Sequence, residues 1–199
     1  MKTKVILISA VCLLLASSAM AQFSAQLYPA ETVLKGRTEM FFNMGVYDDV
    51  NTVMGGLRSG IGGYTDGALR FGYADVDGDG DDWFILAGDA RYQLMEMRIQ
   101  DPIDLSVGGM VETLFGGHDD SFSLGGYVVG SRPVALTRSR NIWPYGRLAL
   151  RWDDVGDNSD FNIGFNLGSS LELGENSRVS AELQFDDQFG FILGLCFGL

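Results

Sequence analysis

The chain has 199 residues with 26 acidic and 14 basic side chains, which gives a formal net charge of -12. Phosphate backbones repel such an acidic chain, so nucleic-acid binding is not expected. Hydrophobic residues make up 46% of the chain and 27 residues are glycine. This mixture is typical of strands in which apolar residues alternate with small and polar ones.

Residues 1–21 are predicted to be a signal peptide. Lys2 and Lys4 form a positive region, an apolar core extends from Val5 to Leu15, and residues 19–21 have the small-x-small pattern of a cleavage site. The apolar core is shorter than the roughly 18 residues that a membrane-spanning helix needs. We therefore expect an exported protein.

The exported chain is expected to begin at Gln22. Residues 22–36 form either a short periplasmic lead-in or the start of the first strand, and the sequence leaves both open. Residues 37–199 contain runs with a period of two, bounded by turn residues. These runs predict ten strands, at 38–47, 53–62, 68–74, 83–94, 105–115, 121–130, 143–152, 161–173, 179–185 and 188–199.

The last run, Phe189 to Leu199, shows the alternation most clearly. Phe and Leu occupy its odd positions, and its even positions hold Gly, Ile and Cys. One face is thus wholly apolar and the other mostly small, which suits lipid outside and a crowded lumen inside. The sequence predicts an all-β fold, a closed antiparallel up-and-down transmembrane β-barrel of about ten strands, with eight or twelve as alternatives. An exported soluble sandwich would also alternate.

The connections between the predicted strands differ by parity. The odd connections contain fifteen of the nineteen aspartates, whereas the even ones are mixed in charge and richer in arginine. A barrel with both termini in the periplasm sends every odd connection outward, so this segregation favours a barrel with an acidic outer rim.

The face opposite the apolar one predicts the lumen. Its charged residues are Glu39, Arg58, Arg70, Asp89, Arg91, Glu112, Arg147, Arg151, Glu172 and Glu182, five of each sign. Unpaired charge would be unfavourable in a narrow barrel, so this balance predicts a lumen closed by ion pairs. Glycines on the same face, among them Gly56, Gly60, Gly164, Gly168, Gly190 and Gly194, favour residual space and a thin water path.

Three segments carry a resemblance to a known class: Ala30 to Gly36, Gly55 to Gly67, and Phe191 to Leu199. With them the sequence resembles small bacterial outer-membrane β-barrel proteins along nearly the whole exported chain. The resemblance implies a location in the outer membrane, in contact with lipid and lipopolysaccharide. It also implies dependence on the barrel-assembly machinery and on periplasmic chaperones.

Asp75, Asp77 and Asp79, followed by Gly80, match the beginning of a calcium-binding loop. The twelfth position of that pattern is Leu86, where an EF-hand has a bidentate glutamate. The sequence therefore predicts at most a weak calcium or magnesium site, with a hydrated acidic loop as the alternative. No other cofactor is expected.

His118, the only histidine, precedes Asp119, Asp120 and Ser121 on a predicted outer loop. Catalysis needs a base, an orienting carboxylate and a nucleophile that converge, whereas adjacent residues on a strand tend to diverge. We therefore predict no enzyme, but a barrel of structural, surface-interaction or narrow-passage type. A small selective channel and an outer-rim hydrolase using His118 are the alternatives.

Overall fold

The computed structural model describes residues 26–76, 82–97, 101–116, 120–137, 140–156, 158–186 and 189–199. Within these ranges, no helix is long and apolar enough to cross a membrane. The predicted signal peptide lies outside the described residues.

Eleven strands run through the described residues. They are β1 (Thr38–Tyr47), β2 (Val50–Gly60), β3 (Thr65–Val76), β4 (Trp83–Met95), β5 (Asp104–Phe115), β6 (Ser121–Ser131), β7 (Val134–Thr137), β8 (Arg140–Val155), β9 (Asn158–Gly174), β10 (Ser177–Phe185) and β11 (Phe189–Gly198). Ten of them, β1 to β6 and β8 to β11, pair antiparallel in chain order, and β11 pairs with β1. This closure confirms the predicted antiparallel barrel of about ten strands.

The short strand β7 lies outside the barrel ladder. Barrel strand β6 stops at Ser131, opposite Tyr145, and β7 then pairs only with the first residues of β8. Pro133 separates β6 from β7 and has no N–H to donate to a ladder. The sequence pattern placed residues 131–140 in a connection, and the structure shows a small hairpin extension there.

The outer face of the barrel is apolar. On β11, Phe191, Leu193, Leu195 and Phe197 are 39–48% exposed, whereas Ile192 between them is fully buried. Aromatic rings cluster on this face near one end of the barrel, at Tyr73, Phe84 and Phe115, at Phe122 and Trp152, and at Phe165, Phe185 and Phe189. An apolar band with aromatic residues near its edge is the lipid-facing surface of a transmembrane barrel.

The two ends of the barrel differ in charge. At the terminal end, β1 begins and β11 ends. At the opposite end, here called the acidic end, exposed carboxylates surround the rim, namely Asp48, Asp49, Asp75, Asp120, Asp154 and Asp160. The sequence predicts acidic connections at one end of the barrel and connections of mixed charge at the other. The described part of the fold shows this arrangement of the acidic connections.

The residues before β1 lie inside the barrel. Gln26 to Ala30, Thr32 and Val33 are buried, and we call residues 26–33 the plug segment. The segment is not a strand of the ladder. It joins β1 through a turn in which Gly36 has a φ of 81°, a left-handed conformation that glycine adopts without strain. The sequence is compatible with either a periplasmic lead-in or a first strand here, because nothing in its pattern indicates a place in the lumen.

Candidate functional site in the barrel lumen

Three arginines and two aspartates form the largest charge cluster of the described lumen. Arg58 donates to Asp66 at 2.5 Å and to both oxygens of Asp89 at 2.6 and 2.7 Å. Arg70 also donates to Asp89, and Arg91 donates to both oxygens of Asp66 at 2.8 Å. The exposure of Arg58 and Arg70 is 1% or less. Charges this deeply buried are stable only when paired, so the cluster ties β2, β3 and β4 together.

The charge cluster also holds the backbone of the plug segment. Arg91 donates to the carbonyl oxygens of Pro29 and Glu31 at 2.5 and 2.8 Å. Asp66 accepts a hydrogen bond from the Val33 amide at 2.8 Å. The barrel wall therefore uses the same side chains for its own ion pairs and for the plug.

Tyr28 is the plug residue most enclosed by charge. The guanidinium carbons of Arg58, Arg178 and Arg91 lie 4.5, 5.4 and 5.7 Å from the centre of its ring. Its edge contacts the Phe41 ring, and its hydroxyl lies 3.4 Å from the Cys196 sulfur. Burial raises the pKa of the Tyr28 phenol well above its ordinary value, so the ring is neutral and attracts the arginines through its π face.

A second cluster surrounds Glu182. Tyr145 donates to this carboxylate at 2.8 Å, and Asn166 and Gln184 each donate to it at 3.0 Å. Arg147 reaches Glu182 at 3.4 Å and also donates to the carbonyl oxygen of Gln26. The plug segment is thus bound from the β8 side as well.

Two smaller groups lie towards the barrel ends. At the acidic end, Arg151 binds Asp153 at 2.6 Å and Asp186 at 2.9 Å. At the terminal end, Arg178 binds Glu39 at 2.5 Å. Each arginine therefore has a carboxylate partner on a neighbouring part of the wall.

An apolar cluster occupies one side of the lumen towards the acidic end, formed by β1 to β5 and β11. It contains Leu27 of the plug segment together with Tyr47, Val50, Met54, Ala74, Ile85, Leu114 and Ile192. These side chains are 0–5% exposed. Close-packed apolar side chains leave little room for water on this side of the lumen.

The lumen glycines do not leave open space. Tyr145 lies directly opposite Gly168, and a Cβ added to Gly168 would overlap the tyrosine ring. Tyr47 and Gly190 form a second such pair, and Tyr127 and Gly108 a third. At four further glycines, a neighbouring group also lies close to the position that a Cβ would take. These groups are the Phe41 ring at Gly56, the Leu34 backbone at Gly60, the Asp186 carboxylate at Gly164, and the Asn43 and Leu27 side chains at Gly194. The glycine-rich face accommodates large neighbours, so the predicted residual space is absent at these positions.

One cavity opens at the terminal end, with a volume of about 390 Å³. Its lining includes plug residues from Glu31 to Val33, the start of β1, the turn between β9 and β10, and Trp143. The plug segment therefore forms part of the cavity wall.

The structure places the ten predicted lumen residues as follows. Arg58, Arg70, Asp89, Arg91, Glu112, Arg147, Arg151 and Glu182 are buried inside the barrel. Glu39 and Glu172 are half-buried at the terminal end, where Glu39 pairs with Arg178 and Glu172 accepts weak hydrogen bonds from Asn141. The structure brings Arg58, Arg70, Asp89 and Arg91 into one cluster and keeps Arg147 with Glu182 in another.

Sequence reasoning missed four charged lumen residues, Asp66, Asp104, Asp153 and Arg178. The sequence pattern assigns all four to connections, whereas they lie within β3, β5, β8 and β10. Each lies an even number of residues from a predicted lumen residue on the same strand, namely Arg70, Glu112, Arg151 and Glu182 respectively. Extending the period of two by one or two steps would have found them.

The predicted metal site and the histidine mostly lie outside the described residues. Asp75 is exposed at the acidic end, and Asp77, Asp79 and Gly80 are not among the described residues. Within the part of the chain that the structure describes, no group of three or more His, Cys, Asp or Glu residues is arranged to hold a metal. His118 and Asp119 also lie outside, so the weak cation site and the hydrolase alternative stay predictions.

A closed antiparallel barrel with an apolar exterior and a charged interior defines the class of bacterial outer-membrane β-barrels. No protein-family model matches the sequence, and no curated protein matches it.

Solved structures of similar shape include outer-membrane barrels. The KdgM porin is 11% identical, with a TM-score of 0.44, 80% of this chain covered and 98% of the porin. The β-domain of the Bordetella autotransporter BrkA is 14% identical, with a TM-score of 0.46 and coverage of 81% and 97%. An outer-membrane channel from Pseudomonas putida F1 is 9% identical, with a TM-score of 0.46 and coverage of 91% and 100%. All three TM-scores are below 0.5, so the class follows from the geometry of the barrel itself.

Proposed function

We propose that this protein is an outer-membrane barrel of structural or surface-interaction type, whose lumen is closed to solutes. The protein would then interact with other molecules at the acidic rim and on the lipid-facing surface rather than along a pore. The predicted signal peptide supplies the route of export. The barrel-assembly machinery and periplasmic chaperones are its proposed partners during insertion.

The filling of the lumen carries this proposal. Towards the acidic end, the lumen holds the apolar cluster on one side and the ion pairs of Arg151 with Asp153 and Asp186 on the other. Towards the terminal end, it holds the plug segment with the arginine clusters that bind it. A barrel of ten strands is also much narrower than the porins of about 16 to 18 strands that hold an aqueous channel. A hydrated ion would have to displace side chains in both halves.

Single-channel conductance in a planar bilayer tests the closed lumen. The refolded protein must first show the heat-sensitive gel migration of a folded barrel. We expect no conductance steps from this folded protein, because both halves of the lumen are filled. Discrete and reproducible steps would contradict the proposal.

A small selective channel is the second candidate, because the plug segment is not part of the ladder and borders an open cavity. If the segment is a gate, loosening it should produce conductance. Tyr28→Ala removes the ring that lies among three arginines, and Tyr64→Ala, in the turn after β2, is the matched control. Steps with the first variant only would favour the channel, whereas silence from both would favour the closed barrel.

The acidic rim suggests a role at the cell surface. Exposed aspartates at this end and the phosphates of lipopolysaccharide repel each other unless cations intervene. We therefore propose that calcium or magnesium bridges the rim to neighbouring lipopolysaccharide. The charge of the rim supports this bridge, and a chelator experiment described below tests it.

A further inference from the structure

The barrel wall binds the plug segment mainly through its backbone. We infer that the lumen contains a peptide-binding site, filled by the chain's own residues 26–33, which accepts the same peptide in trans once those residues are detached. The inference rests on the closed lumen proposed above. Its test measures peptide uptake, which is separate from conductance.

Seven bonds from wall side chains reach backbone atoms of the segment. Their partners are the carbonyl oxygens of Gln26, Pro29, Ala30 and Glu31 and the amides of Ala30, Thr32 and Val33. The Ser106 hydroxyl donates a hydrogen bond to the Ala30 carbonyl oxygen at 2.5 Å, and the Ser131 hydroxyl oxygen accepts one from the Ala30 amide at 2.9 Å. Gln93 accepts a hydrogen bond from the Thr32 amide at 3.1 Å. Backbone groups are present in any polypeptide, so these contacts define a site for a peptide chain.

One side chain adds specificity to this site. The Tyr28 ring lies within 6 Å of three guanidinium groups, and its hydroxyl contacts Cys196. A leucine at this position would fill much of the same volume but would lack the π face and the hydroxyl. The preferred ligand is therefore a peptide with a tyrosine before the proline.

The segment is separable from the barrel. The ladder closes from β1 to β11 without it, so no strand loses a partner when the segment leaves. Lys35 is exposed and pairs with Gly60 only through an isolated bridge. Lys35 is also the only lysine after residue 21, so a lysine-specific protease has one target in the exported chain.

This lysine allows the site to be tested in the folded protein that begins at Gln22. The refolded chain is cut after Lys35, and barrel closure is verified by heat-sensitive gel migration. A synthetic peptide of residues 22–35, labelled on the Lys35 amine, is then added and its fluorescence anisotropy is recorded. We expect saturable uptake by the cut protein, release of the original segment detected by mass spectrometry, and no uptake by the uncut protein.

One variant of the peptide and two variants of the barrel make the test specific. A peptide with Tyr28→Leu should bind about tenfold more weakly, because buried cation–π contacts are lost. Ser131→Ala in the barrel should weaken uptake by about two- to tenfold, because one hydrogen bond to the segment is lost. Ser123→Ala is the matched control, since Ser123 is also a buried wall serine but lies further towards the acidic end. This control should leave uptake unchanged.

Three outcomes would overturn the inference. They are no uptake by the cut and folded protein, equal uptake by cut and uncut protein, or equal affinity for the tyrosine and leucine peptides. Conductance of the uncut protein would contradict the closed lumen instead, so the two failures are distinguishable.

Discussion

Two parts of the lumen, which we call the apolar half and the charged half, are filled by different kinds of contact. In the apolar half, on the β1-to-β5 side of the acidic end, Met54, Ile85, Leu114 and Ile192 pack against one another as in a soluble core. Towards the terminal end, ion pairs and hydrogen bonds connect the wall to the plug segment. Dispersion and burial are non-directional, whereas each buried charge needs a specific partner. The first half should therefore tolerate changes that preserve volume, and the second half should not tolerate the loss of a single charge.

The largest expected effect is at the charged half. Asp89→Asn removes the carboxylate that Arg58 and Arg70 share. Both buried guanidinium groups then lose a negatively charged partner. Breaking a buried pair in this way costs about 3–5 kcal/mol of the free energy of unfolding. Urea titration in lipid vesicles, followed by tryptophan fluorescence, measures the loss. Asp48→Asn at the exposed rim is the control, and equal losses in both variants would contradict the distinction.

The apolar half should respond to lost volume. Leu114→Ala leaves a cavity inside the cluster and should lower the free energy of unfolding by about 2–5 kcal/mol. Leu193→Ala is the control, because Leu193 is 48% exposed on the outer face and lipid can fill the space. The same urea titration compares the two variants. A larger loss at Leu193 would show that the interior is not close-packed.

A smaller effect is expected where a tyrosine lies over a glycine. Gly168→Ala pushes a methyl group into the Tyr145 ring, which also donates to Glu182. Overpacking of this kind costs about 1–3 kcal/mol in the free energy of unfolding. Gly174→Ala is the control, since a Cβ there approaches nothing closer than 3.4 Å. Similar stability of both variants would mean that the Tyr145 ring can move aside.

The rim should give the smallest effect. Removal of divalent cations by a chelator should lower stability by about 1 kcal/mol or less in membranes that contain lipopolysaccharide, because exposed charges are well screened. Thermal unfolding, monitored by gel migration, measures the change. Vesicles without lipopolysaccharide are the control. An identical shift in both membranes would argue against the cation bridge.

The barrel was predictable because its signal is a simple period. Alternation from Phe161 to Leu171 or from Phe189 to Phe197 places each residue on one face, and ten such runs suffice for the strand count. The ends of strands were less predictable. Asp66 and Arg178 follow the same period but lie next to turn residues, so the sequence alone assigned them to connections.

The plug segment could not be predicted from its residues. Its contacts use backbone carbonyl and amide groups, and these leave no pattern in the side chains. The balance of lumen charges did predict pairing, but it could not assign partners. Arg91 divides its donors between Asp66 and two plug carbonyls, which depends on where a separate segment enters the lumen.

The tyrosine and glycine pairs have a consequence for sequence divergence. In each pair, the tyrosine ring occupies the space that a side chain at the opposite glycine would fill, as at Tyr145 and Gly168. A change at either position alone creates a clash or a void, whereas a matched change at both conserves volume. In homologues of this chain, positions 47 and 190, 108 and 127, and 145 and 168 should therefore covary. A homologue that has lost the tyrosine and still has glycine at the partner position should have a wider lumen.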